Sequence, residues 1–434
     1  MKRKIVVDHL CRVEGHGGIT VELDGDVVSD VQFQVFEGLR LVEGLVRGRR
    51  YEDVSQIVSR ICAICSVAHA LTSLKATEEA SGIESSPQTV RLRDLMYRGE
   101  NIESHALHLF FLAIPDYLDY AGAAEMAADH REAVALGLRL KQLGNAIQET
   151  IGGRAVHPVN AILGGFGKLP SFDQLISLQR RLRQGMVDCE AAVDLFTTLP
   201  STEYCQIDTT YAAKRSPDPY GYYPGDEIVV RSNEGSEVYD PGDYRAVIRE
   251  ETVPYSHAKL SLHKDKPFMV GALARLAIDH DRLSSRARHA VRMLGLPLPS
   301  GNPMDNNKAQ MVELVIDVEH ALLTVEQLID EGLQQEKPIA IHPRADTGTA
   351  VTEAPRGLLI HSYTYDSDGR VVAADVVTPT AMNAASMENH FRHAVEQSVE
   401  KDLPELKRKL EMIARAYDPC ISCSVHLVRK RHAI

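Results

Sequence analysis

"AYDPCISCSVHLVRKRHAI", residues 416–434, sets Cys420, Cys423 and His426 close to the end of the sequence. A second stretch, "RICAICSVAH" at 60–69, holds another Cys-x-x-Cys, Cys62 and Cys65, followed by His69. Between Cys65 and Cys420 lie 354 residues. If the pairs act together, the fold must carry two distant segments to one place. One Cys-x-x-Cys alone reads as buried small hydrophobes, a thioredoxin-like redox pair, or half of a zinc site. Four thiolates suit zinc, iron or nickel, because sulfur is a soft ligand. Zinc staples, however, join pairs about 12–20 residues apart within one small module. The surroundings of Cys62 also lack a thioredoxin-like βαβ pattern.

The bulk numbers describe a globular chain. Its 434 residues are 44% hydrophobic and 25% charged, so an extensive core is affordable and disorder is not expected. The formal net charge of −12 is the wrong sign for a nucleic-acid surface or an anionic membrane. No apolar run approaches the roughly 18 residues of a membrane span; "ALHLFFLAIP" at 106–115 reads as a buried helix end. "MKRKIVVDHLCRVEGHG" lacks the apolar centre of a signal peptide. Seven cysteines, with Cys11, Cys189 and Cys205 scattered, form no disulfide framework and fit a reducing, cytoplasmic setting.

The periodicities predict an α+β chain, a mostly helical body with small β-elements near its beginning and before its C-terminal helices. Ile19, Val21 and Leu23, a turn at 24–26, then Val31, Phe33 and Val35 read as a hairpin. Leu39, Val42, Leu45 and Val46 recur at helical spacing. Ser66 is expected to cap a helix ending at Gly82. Helical patterns at 89–114 and 123–151 should close at Pro115 and at Gly152–Gly153, and a helix started by Pro170–Ser171 should end before Pro200. Residues 201–256 hold eight tyrosines among Gly, Pro and Asp, and read as an irregular or strand-bearing insertion. A long helix over 307–333 precedes a β-region at 337–380, with "DSDG" as a hairpin turn, and two helices lead to the second cysteine pair. With no internal repeat, 1–434 reads as one domain.

Beyond the cysteines, "RVEGHGGI" at 12–19, "GLRLVEGLVRGR" at 38–49, "TEAPRGLLIH" at 352–361 and "TPTAMN" at 378–383 stand in order along nearly the whole chain. Together they resemble the large subunit of nickel–iron hydrogenases. "IESHALHLFFLAIPDYL", "NAILGGFGKLP" and "KPFMVGALAR" are most similar to the cytoplasmic NAD(P)-linked branch, called sulfhydrogenases in some organisms.

The resemblance implies nickel held by Cys62, Cys65, Cys420 and Cys423. Cys65 and Cys423 would bridge to an iron that also carries carbon monoxide and two cyanides. Such a buried cluster is anionic and needs donors. Arg356 in "APRG" answers that need, although "PRG" alone would read as a surface turn. Pro355 beside it and Thr380 in "TPT" would complete the surroundings of the iron ligands. His69 matches a position that hydrogen-bonds a bridging sulfur; a lone helical histidine is more often structural. Heterolytic cleavage of dihydrogen releases a proton that must leave, and Glu14 in "RVEGH" matches the family's acceptor. Asp418 matches a residue that orients the arginine. Glu43, the carbonyl of Val376 and His426 match ligands of a magnesium or second iron. Two departures stand out: Ala63 where many relatives carry glycine, and Ser104 where respiratory uptake relatives carry aspartate.

The four thiolates leave no second cysteine cluster, so iron–sulfur centres belong on a small partner subunit. No Gly-x-Gly-x-x-Gly fingerprint opens a helix, so flavin and NAD(P) belong on diaphorase subunits. The family also implies nickel-loading factors and a maturation protease cutting between His426 and Leu427, where Arg429, Lys430 and Arg431 resist burial; the competing reading is a solvated basic tail that stays on. Two other readings compete: the nickel-free quinone-site subunit related to respiratory complex I, which lacks the cysteine pairs, and a zinc-stabilised structural protein. Neither explains all the motifs together.

Overall fold

The expected hairpin is present as β2 (Gly17–Asp24) and β3 (Val27–Val35), and β1 (Lys2–Val7) pairs antiparallel with β2 on its other edge. β1 carries little strand signal because Lys2, Arg3 and Lys4 mask the alternation; only Ile5 and Val7 point into the core. The computed structural model describes residues 2–25, 27–38, 41–337, 339–398 and 402–425. Leu39 and His426 lie outside these residues, as does the whole of 426–434.

The helix expected from Leu39 is only α1 (Val42–Val46), entered through Leu41 in a left-handed conformation. α2 (Tyr51–Val58) leads to the first cysteine pair, and α3 (Ser66–Ser81) ends at Gly82 with φ +66° as expected. Ser66 is not its cap. Cys65 occupies that position, and the Ser66 hydroxyl accepts the backbone N–H of His157. Glu100 caps the helix from a distance, its carboxylate accepting the N–H groups of Val67 at 2.6 Å and Ala68 at 3.0 Å.

α4 (Pro87–Leu107) starts from Ser86, which accepts the Thr89 N–H. The chain does not stop at Pro115. A π-helical turn at His108–Ala113 widens the helix, which continues as α5 (Ile114–Tyr117) through the proline with its missing donor. The pattern over 123–151 is two helices, α6 (Ala123–Met126) and α7 (Arg131–Gly152), the second ending at Gly153. The glycine-rich loop folds into a short pair, β4 (Ala161–Ile162) and β5 (Gly165–Phe166). α8 (Phe172–Thr197) opens with a Ser171–Gln174 capping box.

The tyrosine-rich stretch contains β6 (Tyr211–Arg215), β7 (Glu227–Ser232) and β8 (Gly235–Tyr239), then α9 (Tyr244–Val247) and β9 (Arg249–Thr252), which pairs with β10 (Lys259–Leu262). α10 (Ala272–Asp279), α11 (Ser285–Met293) and α12 (Asp305–Glu331) follow. β11 (Thr347–Ala354), β12 (Gly357–Tyr365) and β13 (Val371–Val377) form the second sheet near a chain end, with "DSDG" as the turn between the last two. α13 (Pro379–Gln397) and α14 (Leu403–Ala416) reach the second cysteine pair.

Three packings position the site. α4, α7, α8 and α12 form a helical layer. Gly144 lets α7 approach α4 so closely that a Cβ there would lie 2.4 Å from the Glu103 nitrogen. Tyr220, Tyr222 and Tyr223 reach into this layer, where Tyr220 donates to Glu313 and Tyr222 to Asp317 on α12. α3 lies on β11 and β12, while β3 lies on α13 and β1 on α14. The N-terminal sheet is thus built onto the C-terminal helices. Among the described residues an apolar cluster runs from Ile5 to Cys423, and a smaller one gathers Ile228, Phe268, Ile360 and Met382.

Candidate metal centre

Cys62 and Cys65 stand at the entry of α3, and Cys420 and Cys423 follow α14 in a short 3-10 turn. Their sulfurs all lie within 4.8 Å of one another and all four residues are buried. Cys65 and Cys423 are 3.2 Å apart, Cys62 and Cys420 3.3 Å, and Cys65 and Cys420 3.8 Å. Burial, above all, pushes the Cys420 and Cys423 thiols well above their ordinary pKa. Four bare thiolates cannot share such a space, whereas a bound divalent cation would hold them deprotonated. The donor set therefore fits a soft metal. Ala63, between Cys62 and Cys65, is exposed.

The two-residue turn Pro355–Arg356 between β11 and β12 delivers Arg356 to the same place. It is not a surface arginine: only 3% of it is exposed. Its Nε donates to the carbonyl of Asp418 at 3.1 Å and Nη2 to the Asp418 carboxylate at 3.0 Å. Asp418 adopts φ +50°, and Gln310 donates to its second oxygen at 3.0 Å. Burial opposes the guanidinium charge, but Asp418 and the sulfurs of Cys420, Cys65 and Cys62 hold the Arg356 pKa well above its usual value. Its Nη1 is buried with no partner. An unsatisfied donor on a guanidinium that feels the charge of these cysteines fits an anionic ligand on a bound metal. The Pro355 carbonyl accepts from Arg275, which fixes the turn. Thr380, on the first turn of α13, accepts the Cys420 N–H at 2.9 Å and keeps its own proton to donate.

Glu14 joins the site through the backbone. It bridges Cys420, its carbonyl accepts the Ile421 N–H at 3.0 Å, and its carboxylate accepts from Ser422. His69 is 1% exposed, and its Nδ1 lies 3.0 Å from His361 Nε2, which leaves Nε2 as the nitrogen able to reach a sulfur. Burial lowers the His69 pKa to about 4. Glu43 is brought beside Val376, whose N–H donates to its carboxylate at 3.1 Å, and burial raises its pKa. His426, the third residue of that set, lies outside the described residues. Ser104 is buried with its hydroxyl unpartnered.

The family description "Nickel-dependent hydrogenase" matches residues 40–153 and 220–426, and "HoxL-like" matches 4–37. The chain is 39% identical to sulfhydrogenase 1 subunit alpha of Pyrococcus furiosus, over 98% of each chain. The chain belongs to the nickel-dependent hydrogenase large-subunit family. It is also 36% identical to sulfhydrogenase 2 subunit alpha of the same organism, over 98% of this chain and 99% of that one. Among solved structures, an NAD+-reducing NiFe-hydrogenase in the H2-reduced state superposes with a TM-score of 0.86 at 29% identity, covering 98% of this chain and 99% of that chain.

Within this hydrogenase large subunit, sequence reasoning missed Glu100, Gln310 and His361. Glu100 and Gln310 sit in wholly buried helix stretches where no local pattern marks a partner. His361 did leave a signal. It shares a strand face with Leu359 and Tyr363, a polar ring at a core position.

Proposed function

We propose that the chain is the catalytic subunit of a nickel–iron hydrogenase that cleaves dihydrogen heterolytically and reversibly. The observation that carries this is the buried set of four sulfurs, drawn from two distant segments, with the buried Arg356, whose Nη1 is unpaired, feeling their charge. When bound, a nickel–iron pair with carbonyl and cyanide ligands supplies the Lewis-acidic, redox-active centre. Cys62, Cys65, Cys420 and Cys423 would hold it through their four sulfurs. Arg356 and Thr380 would offer donors to its anionic ligands, and Asp418 holds the guanidinium through its carbonyl and carboxylate. Glu14 accepts the released proton at its carboxylate and returns it to solvent. The buried walls around the sulfurs exclude bulk water from this exchange.

Electrons leave through an iron–sulfur partner subunit, and the likeness to an NAD+-reducing enzyme supports NAD(P) as the final acceptor. Glu43, the Val376 carbonyl and His426 would hold magnesium or iron, and the complex works in the cytoplasm. Residues 427–434 are removed on maturation, so the intact mass of the nickel-loaded subunit should end at His426.

Metal analysis and hydrogen oxidation by the purified complex, with NAD+ and NADP+ as acceptors, test the reading. Cys62→Ser, Cys65→Ser, Cys420→Ser and Cys423→Ser should each lose nickel and turnover, because a hard hydroxyl replaces a soft thiolate poorly. Zinc alone, or no metal, in the active wild-type complex would refute it.

A further inference from the structure

His69, His361 and Tyr363 form a buried row. His69 Nδ1 lies 3.0 Å from His361 Nε2, and His361 Nδ1 lies 2.6 Å from the Tyr363 hydroxyl. All three are at most 1% exposed. The row exists because α3 packs on β12, and because His361 and Tyr363 share one face of that strand. We infer that Tyr363 and His361 are positioning residues which fix His69 in the tautomer that presents its Nε2–H to the metal-binding thiolates.

A neutral imidazole has one N–H and one lone pair, so the two hydrogen bonds admit only two proton orders. In the first, the phenol donates to His361 Nδ1, His361 Nε2–H donates to His69 Nδ1, and His69 keeps its proton on Nε2. In the second, every bond reverses, and His69 turns a lone pair toward the sulfurs. The phenol decides between them. Burial raises the Tyr363 pKa, while the Ser73 hydroxyl facing the phenol oxygen acts as a donor and lowers it, so the Tyr363 proton is left to the His361 nitrogen as its acceptor. The reversed order would strand that proton inside the core. It would also set a lone pair against the negative charge of Cys62, which acts on His69. In the first order all donors point toward the thiolates, and each bond polarises the next. Charge drawn from a thiolate weakens its donation to the metal, so a tyrosine two residues beyond His361 tunes the centre without touching it.

The inference rests on the nickel–iron reading, and infrared spectra of the assembled complex test both separately. Tyr363→Phe keeps the ring and removes the terminal donor. Its iron-carbonyl band should move to lower wavenumber at unchanged nickel content, because the thiolates recover charge. His361→Gln still offers an N–H to His69, so its band should stay near the wild-type position. A nickel-loaded Tyr363→Phe complex with wild-type bands would overturn the inference, as would an equal shift in His361→Gln. Should Tyr363→Phe load no nickel, His361→Leu replaces it: displacement there but not in His361→Gln supports the chain, and equal displacement in both overturns it. A wild-type complex that holds nickel without carbonyl or cyanide bands would refute the nickel–iron reading itself.

Discussion

Glu14 and Ser422 stand 408 positions apart, and Ser422 closes on the Glu14 carboxylate with its backbone N–H at 3.0 Å and its hydroxyl at 2.5 Å. The contact is a consequence of Gly15, whose φ of +87° turns the chain beneath Ile421, where a Cβ would lie 2.8 Å from the isoleucine side chain. The carboxylate proposed to accept the released proton is thereby held against Ser422, the neighbour of Cys423.

Glu14→Gln should keep the nickel content and lower hydrogen oxidation by about 10²-fold or more, the usual scale of lost general-base catalysis. The amide can still accept from Ser422, so the local backbone should survive. Nickel analysis alongside turnover checks this, and near-normal turnover with intact metal would rule out the relay.

Arg356→Lys should also impair turnover. An ammonium cannot span the Asp418 carbonyl and carboxylate together while presenting a third donor toward the sulfurs. The expected result is reduced activity with changed infrared bands; unchanged bands would show that Nη1 does not face the iron ligands.

Away from the centre, Arg93 and Glu78 form a bidentate buried pair, at 2.8 and 2.7 Å. Glu78→Ala would leave the guanidinium without its counter-charge and should cost about 3–5 kcal/mol. Urea unfolding followed by circular dichroism measures it. A loss below about 1 kcal/mol would mean that the Ile162 carbonyl and Tyr223 hydroxyl already suffice.

Glu388 offers a pH test outside the site. Burial, reinforced by Asp30, raises its pKa from 4.5 to about 7, against the Phe33 N–H, the Tyr255 hydroxyl and Arg392. The folded chain therefore binds this proton more tightly than the unfolded chain. The stability it contributes is fully present below pH 4.5 and is lost as pH rises through about 7. Glu388→Gln removes that loss, so its melting temperature should exceed the wild type by more at pH 8 than at pH 5. An equal difference at both would disprove the titration.

The donor identities were legible in the sequence, because cysteine pairs, "RVEGHG", "APRG" and "TPT" are local strings whose chemistry does not depend on where the chain goes. The hairpins at 17–35 and 357–377 were legible for the same reason, since a period-two pattern and a turn are short-range. The π turn before Pro115 was not, because nothing local says whether a proline ends a helix or is absorbed by a widened one. Nor was the cap of α3, which comes from Glu100 on another helix rather than from Ser66. The sequence by itself determined which candidate donors exist and that the two cysteine pairs lie 354 residues apart. Only the tertiary structure decided that Arg356 is buried rather than on a surface turn, that Glu14 meets Ser422, and that His361 and Tyr363 line up behind His69. Each of those depends on a strand or helix docking against an element hundreds of residues away, and such contacts are selected by the packing of the whole core rather than by neighbours in sequence.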